Sequence, residues 1–480
     1  MEPSDSTAQD PVRPAATVEP ESVRATATVE LDPELLDDLE ALIEAGSRPM
    51  LMNILADMHP ADIGGLLEHL SRPDARTVLG WLPTELAGDA IVELDDDYRA
   101  DLLEDVSPSR LTAVLDEMDT DDAADVLSDL PEEIAEVVLP RLEDSEDIGA
   151  LMGYDEETAG GLMATEFVAV PTTWTVAEAT EEVRRNAEEV EQVYGVWAVD
   201  PDGKLQGFVS MKRMLLSPSE ARIEKVMNPD PVSVETDMDQ EEVARLMERY
   251  DLVTLPVIDG NGCLVGRITI DDIVDVIREE AEEDIQRMSG VAGGEEATDS
   301  VMRVVRGRLP WLLAGMLGAG LAAAVILQFE DALAASAILA GFIPIVMATA
   351  GNAGIQSSAI AVQALAAGDI WAADLMPRIG KEITVSLLNG VASAVVLGLV
   401  IMGVAASGVM DIEDPMQLAM TAAVALVIVI VMATTIGATI PLFLNRAGID
   451  PALATGPFIT TSNDILGILV FFLLAEALYL

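Results

Sequence analysis

The chain has 480 residues, a formal net charge of −58 and a mean hydropathy of +0.35, values that conflict unless charged and apolar residues are segregated. Residues 1–308 hold 73 acids against 23 bases, and residues 309–480 hold 11 acids against 3 bases, so an acidic, water-facing half precedes a membrane half. Such a surplus repels phosphate and concentrates cations, which excludes nucleic acid as the main partner. A single cysteine, Cys263, excludes a disulfide within the chain, and two histidines cannot complete a zinc site of the usual kind.

The N-terminus is polar and acidic, carries no signal peptide, and residues 1–30 read as a disordered tail. From His59 to Tyr154 the chain divides into eight consecutive units of twelve, beginning HPADIGGLLEHL, SRPDARTVLGWL and PTELAGDAIVEL. The ninth position is Leu67, Leu79, Ile91, Leu103, Leu115, Leu127, Leu139 and Leu151; the twelfth is Leu70, Leu82, Leu94, Val106, Met118, Leu130, Leu142 and Tyr154. With small or apolar fifth and eighth positions this completes a helical face, and Pro, Asp or Ser heads each unit as a start signal. Helices of two to three turns cannot stand alone, so they must stack as a solenoid. The outer faces are mainly carboxylates, which a solvated surface explains by itself; Asp121 and Asp125, at i and i+4 with no base between them, are better placed than most to hold a cation.

The next region repeats once. VWAVDPDGKLQGFVSMKRML (196–215) aligns without gaps, at an offset of 59, with LPVIDGNGCLVGRITIDDIV (255–274). Each copy predicts strand, turn at DG or NG, strand and helix start, preceded by acidic amphipathic helices over 176–187 and 240–250. This resembles a tandem pair of CBS domains. Gly266, Thr269 and Asp272 form the G-x-x-T-x-x-D arrangement with which that family often holds a nucleotide ribose, whereas the first copy has Arg213 where the acid should be. The alternative is that Thr269 and Asp272 only cap a helix. An acidic helix follows over 275–291; its like charges repel at a few tenths of a kcal/mol per pair, a cost that a divalent ion would relieve and a solvated linker would tolerate.

Five apolar runs, 311–327, 333–365, 383–406, 416–440 and 453–478, are long enough to cross a bilayer. Arg303, Arg306 and Arg308 precede the first, Arg378 and Lys381 separate the second and third, and Arg446 separates the fourth and fifth. The other two connections carry Glu330 and Asp331, and Asp411, Glu413 and Asp414, with no base. The positive-inside rule then puts the acidic half in the cytoplasm and the C-terminus outside. MATAGNAGIQSS (347–358) in the second run is a poor lipid contact, suited either to a wet cavity or to close helix packing. In the last run Asp464 is an intramembrane acid on a stripe with Gly456 and Thr460. A protonated packing residue, a proton relay and a pair with Lys381 or Arg446 compete with a cation site; the bases lie at the cytoplasmic end, and the cation site is favoured. Magnesium is commonly held through its waters by one or two carboxylates, and one such acid per chain suggests two chains related by a symmetry axis.

HPADIGGLLEHL, YDEETAGGLMATEFVAVP, DQEEVARLMERYDLVTLPVID, GRITIDDIVDVIREEAEEDI, RLPWLLAGM, GNAGIQSSAIAVQALA and DPALATGPFITTSNDILG together resemble the MgtE family of magnesium channels over roughly Leu31 to Leu480. The resemblance implies a homodimer in the lipid of the cell membrane. Its expected parts are an all-α helical-repeat N domain (31–154), two α/β CBS domains (155–222 and 223–278), a connecting or plug helix and linker (279–308), and an α-helical transmembrane domain of five helices (309–480). It implies an axial pore where Asp464 binds hydrated Mg²⁺, with Gly456, Thr460 and Asn352 lining the path. Cytosolic Mg²⁺ would be sensed by Asp121, Asp125, Asp239, Glu241, Asp251, Asp272, Glu280, Glu283 and Asp284, closing the channel when magnesium is high; ATP is a second expected ligand, at Gly266, Thr269 and Asp272. Two departures stand out: Ile355 replaces a residue that is polar in many members, and Gly456 an Asn found in some. The rival functions are a proton- or sodium-coupled divalent cation transporter and a non-transporting CBS nucleotide sensor. No enzyme is expected, because no Walker A, aspartyl-phosphate or nucleophile motif is present.

Overall fold

A computed structural model describes residues 33–187, 190, 192–295, 300–366, 375–410, 412–454 and 456–480; the expected N-terminal tail and Asp411 lie outside them. The chain forms two compact units, residues up to 118 with 126–143, and residues 119–125 with 144–480.

Helices α1 (Pro33–Glu44) and α2 (Arg48–Leu55) precede α3 (Pro60–His69), α4 (Arg72–Trp81), α5 (Thr84–Val92), α6 (Asp96–Leu103), α7 (Pro108–Leu115), α8 (Thr120–Asp129) and α9 (Glu132–Val138), all in the first unit except residues 120–125 of α8, which belong to the second. These seven, with α10 (Ser145–Leu151) in the second unit, match the eight repeat units one helix to each. Helices α3, α5, α7 and α9 pack in one row, with α4 against α6 in another, the arrangement of a two-layer solenoid. The ninth-position residues are buried except Leu139, which a 3₁₀ turn leaves half-exposed while Val138 takes the core place. Tyr154 departs from the expected pattern: it is exposed, its ring lying where a Cβ on Gly160 would be. Helix C-termini leave carbonyls without partners, and arginines from neighbouring repeats donate to them: Arg48 to Trp81 O (2.9 Å), Arg76 to Asp101 O (2.7 Å) and Arg110 to Leu82 O (2.6 Å).

The second unit contains the duplicated module. Strand β1 (Ala169–Pro171) and helix α11 (Val176–Arg185) lead to hairpin β2 (Gly195–Val199)/β3 (Leu205–Ser210), then α12 (Met211–Leu216), α13 (Ile223–Val226) and β4 (Asn228–Pro229). The second copy runs β5 (Val234–Glu235), α14 (Gln240–Tyr250), β6 (Thr254–Ile258), β7 (Leu264–Thr269) and α15 (Ile270–Met288). The sheets have orders β1-β2-β3-β4 and β5-β6-β7. The internal repeat holds to the register: Gly195 pairs Ser210 as Thr254 pairs Thr269, and each hairpin has a bulge at the same place. The turn glycines Gly203 and Gly262 both adopt φ near +80°, at +81° and +83°, which a β-carbon would disfavour. Helix α15 is unbroken, so the module's last helix and the acidic connecting segment are one element.

Among the described residues five helices are long and apolar enough to cross a membrane. They are α16 (Val301–Gln328), α18 (Phe342–Ala366), α19 (Leu375–Ser407), α20 (Pro415–Arg446) and α21 (Pro457–Leu478); a short α17 (Glu330–Ala335) and a 3₁₀ turn split off the start of the second apolar run. Helix α20 packs on α18, α19 and α21. Lipid offers no hydrophobic drive between helices, so close backbone approach through small residues has to supply the contact. Within 347–358 α18 is continuous, and at Gly354 it packs closely: the Gly354 carbonyl lies where a Cβ on Gly437 would be, with the carbonyl carbon 3.0 Å away. At the other end Phe329, Phe342, Phe471 and Phe472 form an aromatic cluster with centroid separations of 5.0–5.9 Å. Gly437→Ala should destabilise the detergent-solubilised protein by about 1–3 kcal/mol through overpacking. Gly398→Ala, with nothing within 4 Å of the added carbon, should leave its melting temperature unchanged.

Candidate functional site

Four groupings of carboxylates stand out, all within the second unit. The first surrounds the N-termini of α8 and α15. Asp121 is buried, and burial together with the charges of Asp122, Asp272 and Asp119 pushes its carboxyl well above the usual range. Asp272 is pushed up to about 6, chiefly by burial. The one base here, Arg267, is nearly inaccessible on β7; it donates to Gln192 O at 2.6 Å and lies 3.7 Å from Asp119. Thr120 donates to Glu166 at 2.9 Å through its hydroxyl and meets Thr165 at 2.9 Å. Asp119, Glu166 and Arg267 were not picked out by sequence reasoning, because a buried arginine inside GRITI looks like any strand residue until its neighbours are known. Asp125 faces outward on the same helix.

Thr269 and Asp272 form a capping box at the start of α15, with the Thr269 amide (3.1 Å) and hydroxyl (2.8 Å) donating to one Asp272 oxygen. Gly266 is a packing residue: a Cβ there would meet the Met163 sulfur at 2.6 Å and Ala164 O at 3.0 Å. The motif thus caps α15 through one Asp272 oxygen, and the other oxygen takes no part in the cap.

The second grouping lies between α14 and α15. Asp239 caps α14 by accepting from the Glu241 amide at 3.0 Å, and Gln240 donates to Glu280 at 2.8 Å. Burial raises the Glu241 carboxyl, Arg245 opposes that shift, and Glu280 and Asp284 add to it. Asp251 stands apart as the left-handed C-cap of α14 (φ 51°) and is exposed.

The third grouping joins α15 to the membrane helices. Arg287 is paired with both Glu283 and Asp450, and Asp450 also accepts from the Ala452 amide at 2.7 Å in the 3₁₀ turn before α21. Asp284, beside them, is pushed up to about 6 by burial, then by Asp450 and Glu280. The helix ends touch as well: a Cβ on Gly456, the N-cap of α21, would lie 3.2 Å from Gly290 N and 3.4 Å from Met288 O. Glycine at 456 therefore suits the backbone approach, which accounts for that departure from the family pattern.

The fourth is Asp464, half-buried on α21. Among the described residues it has no ion pair with Lys381 or Arg446. Thr460 and Gly456 lie one and two turns before it on its stripe, and Asn352 and Ile355 are exposed on α18. Asn463, next to Asp464, is fully buried. Among the described residues no three acids, histidines or cysteines converge in metal-holding geometry; a hydrated magnesium ion is commonly held through its waters by one or two carboxylates.

Acids raised by burial bind protons in the folded state that the unfolded chain has lost. Between their usual value near 3.8 and about 6, stability therefore falls as pH rises, and above 6 the penalty is constant. With divalent ions chelated, the protein should melt at a higher temperature at pH 5.5 than at pH 7.5, and the stabilisation added by Mg²⁺ should be smaller at the lower pH.

Comparison with known families matches the description "Divalent cation transporter" (MgtE) to residues 343–474, "MgtE intracellular N domain" to 58–157 and "CBS domain" to 159–219 and 223–279. The magnesium transporter MgtE of Thermus thermophilus is 34% identical over 458 residues, 93% of this chain and 99% of that protein. The magnesium transporter MgtE of Enterococcus faecalis is 35% identical over 334 residues, 70% of this chain and 72% of that protein. A solved cytosolic domain of the Mg²⁺ channel MgtE in complex with ATP is 36% identical, covers 50% of this chain and 99% of that one, and superposes with a TM-score of 0.48.

Proposed function

The chain belongs to the MgtE family of magnesium transporters, and from that premise we propose that it is a magnesium-gated magnesium channel of the cell membrane. In this reading two copies form the pore, the acidic half lies in the cytoplasm and the C-terminus outside. The observation that carries it is Asp464, a carboxylate inside the membrane bundle with neither Lys381 nor Arg446 as its partner. An acid at that depth costs about 3 kcal/mol unless water or a cation meets it. A second copy would bring a second such acid to the axis, and the pair would hold magnesium through its water shell.

Closure follows from the other three groupings. Asp121 with Asp272, and Glu241 with Glu280 and Asp284, are acids held together with too few bases. Bound Mg²⁺ favours the arrangement that keeps them together, and without it their repulsion favours separation; the shift equals the difference in ion binding between the two states. The end of α15 relays this to the pore, because Arg287 grips Asp450 while Met288 and Gly290 abut Gly456.

Two outcomes are expected in proteoliposomes. Asp464→Asn should reduce Mg²⁺ influx to the level of empty vesicles, and wild-type influx should persist with no proton or sodium gradient; influx that requires either gradient would favour a coupled transporter. Arg287→Gln should raise, about tenfold for 1.4 kcal/mol of lost closing free energy, the Mg²⁺ concentration that protects the segment after α15 from protease.

A further inference from the structure

Asn463 is fully buried in the membrane bundle, on the stripe of α21 that faces α18. Its neighbours on that stripe, Ile459 and Gly467, pack against Gly354 and against Ala350, Val346 and Val429 respectively. Those neighbours are apolar or small, and an apolar side chain would suit them. Instead, the Asn463 amide nitrogen donates to Ala350 O at 3.3 Å and occupies the space where a Cβ on Gly354 would stand. Its orientation is set by that acceptor, because a carbonyl oxygen takes only a donor. The side-chain oxygen Oδ1 is buried with no hydrogen-bond partner among the described residues. An unmet buried oxygen lowers stability, so the fold retains here a group that packing alone would replace.

We propose that Asn463 is the positioning residue for Asp464. Successive side chains on a helix are about 100° apart, so fixing Asn463 against α18 fixes the direction in which Asp464 leaves α21. Apolar ridges can slide and roll by small amounts. A hydrogen bond to one carbonyl, beside a glycine whose missing Cβ makes room for the amide, sets both the rotation of α21 and its height along α18. A carboxylate that meets an ion through intervening waters needs both, because the waters transmit any displacement to the ion's shell. The Gly354 and Asn463 pair is therefore a key and keyway, and the small residue in GNAGIQSS serves the ion site from behind.

The inference rests on the channel reading, and the test separates the two. Asn463→Leu preserves side-chain size, removes the hydrogen bond and removes the orphan oxygen. The variant is expected to melt at or above the wild-type temperature, while its half-saturating Mg²⁺ concentration for influx rises about tenfold, as when a group supporting a metal ligand is lost. Its ratio of Co²⁺ to Mg²⁺ influx is expected to change with it. Asn463→Ala, which cannot overfill the site, is read in the same way if the leucine variant does not assemble. Wild-type half-saturation and selectivity in both variants would overturn the proposal. So would a loss of influx matched by an equal loss of assembled protein with half-saturation unchanged, the mark of a structural role only. Asp464→Asn in the same vesicles guards the premise: normal influx there would refute the channel reading itself, whatever Asn463 does.

Discussion

Two carboxylates 4 Å apart at the surface of a protein repel by about 4 kcal/mol, and the acidic half of this chain brings such groups together with few bases to offset them. Asp121 and Asp272 meet at the mouths of two helices, and Glu241, Glu280 and Asp284 meet between α14 and α15. Where a base is supplied, it is already paired: the buried Arg267 holds Asp119 and Gln192, and the half-buried Arg287 holds Glu283 and Asp450. The remaining acids repel one another, and in the proposed gating it is Mg²⁺ between them that offsets this repulsion.

The membrane half solves a different problem. Its helices gain nothing from excluding water, so they rely on contact through small residues, and Gly354 and Gly437 bring α18 and α20 to backbone distance. Against Gly354 stands one amide, that of Asn463, and the next residue in the chain is Asp464. Connection between the two halves passes through a short path, from Arg287 and Asp450 through the 3₁₀ turn at Pro451 to Gly456 and along the helix to Asp464. Two glycines, Gly290 and Gly456, make the approach of the two helix ends feasible.

Much of this was legible beforehand because it rests on periodicity. The twelve-residue unit predicts one helix per repeat, since apolar residues three and four apart can only share a face in a helix; it misplaces Leu139 and Tyr154 because a 3₁₀ turn and a loop break the period. The offset of 59 predicts two hairpins with one register, bulge for bulge, since identical alternation forces identical pairing. Five apolar runs predict five crossing helices, and an uncompensated acid in the last of them marks itself as a site because lipid does not tolerate it.

Other features belong to the tertiary structure. Nothing in the linear order couples Arg287 to Asp450, 163 residues away, or Asn463 to Ala350, 113 residues away. The same holds for glycines: Gly351 and Gly354 are alike as letters, yet only the second has a neighbour against it. Thr269 and Asp272 are sequence candidates for a helix cap, and the cap forms through a single Asp272 oxygen. Sequence by itself determined which segments are helix, strand and membrane span, because those follow from the spacing of apolar residues along one strand of chain. Which acids are crowded, which are paired and which carbonyl receives the single buried amide were decided by folding, because charge and hydrogen-bond energies depend on distances that only packing sets.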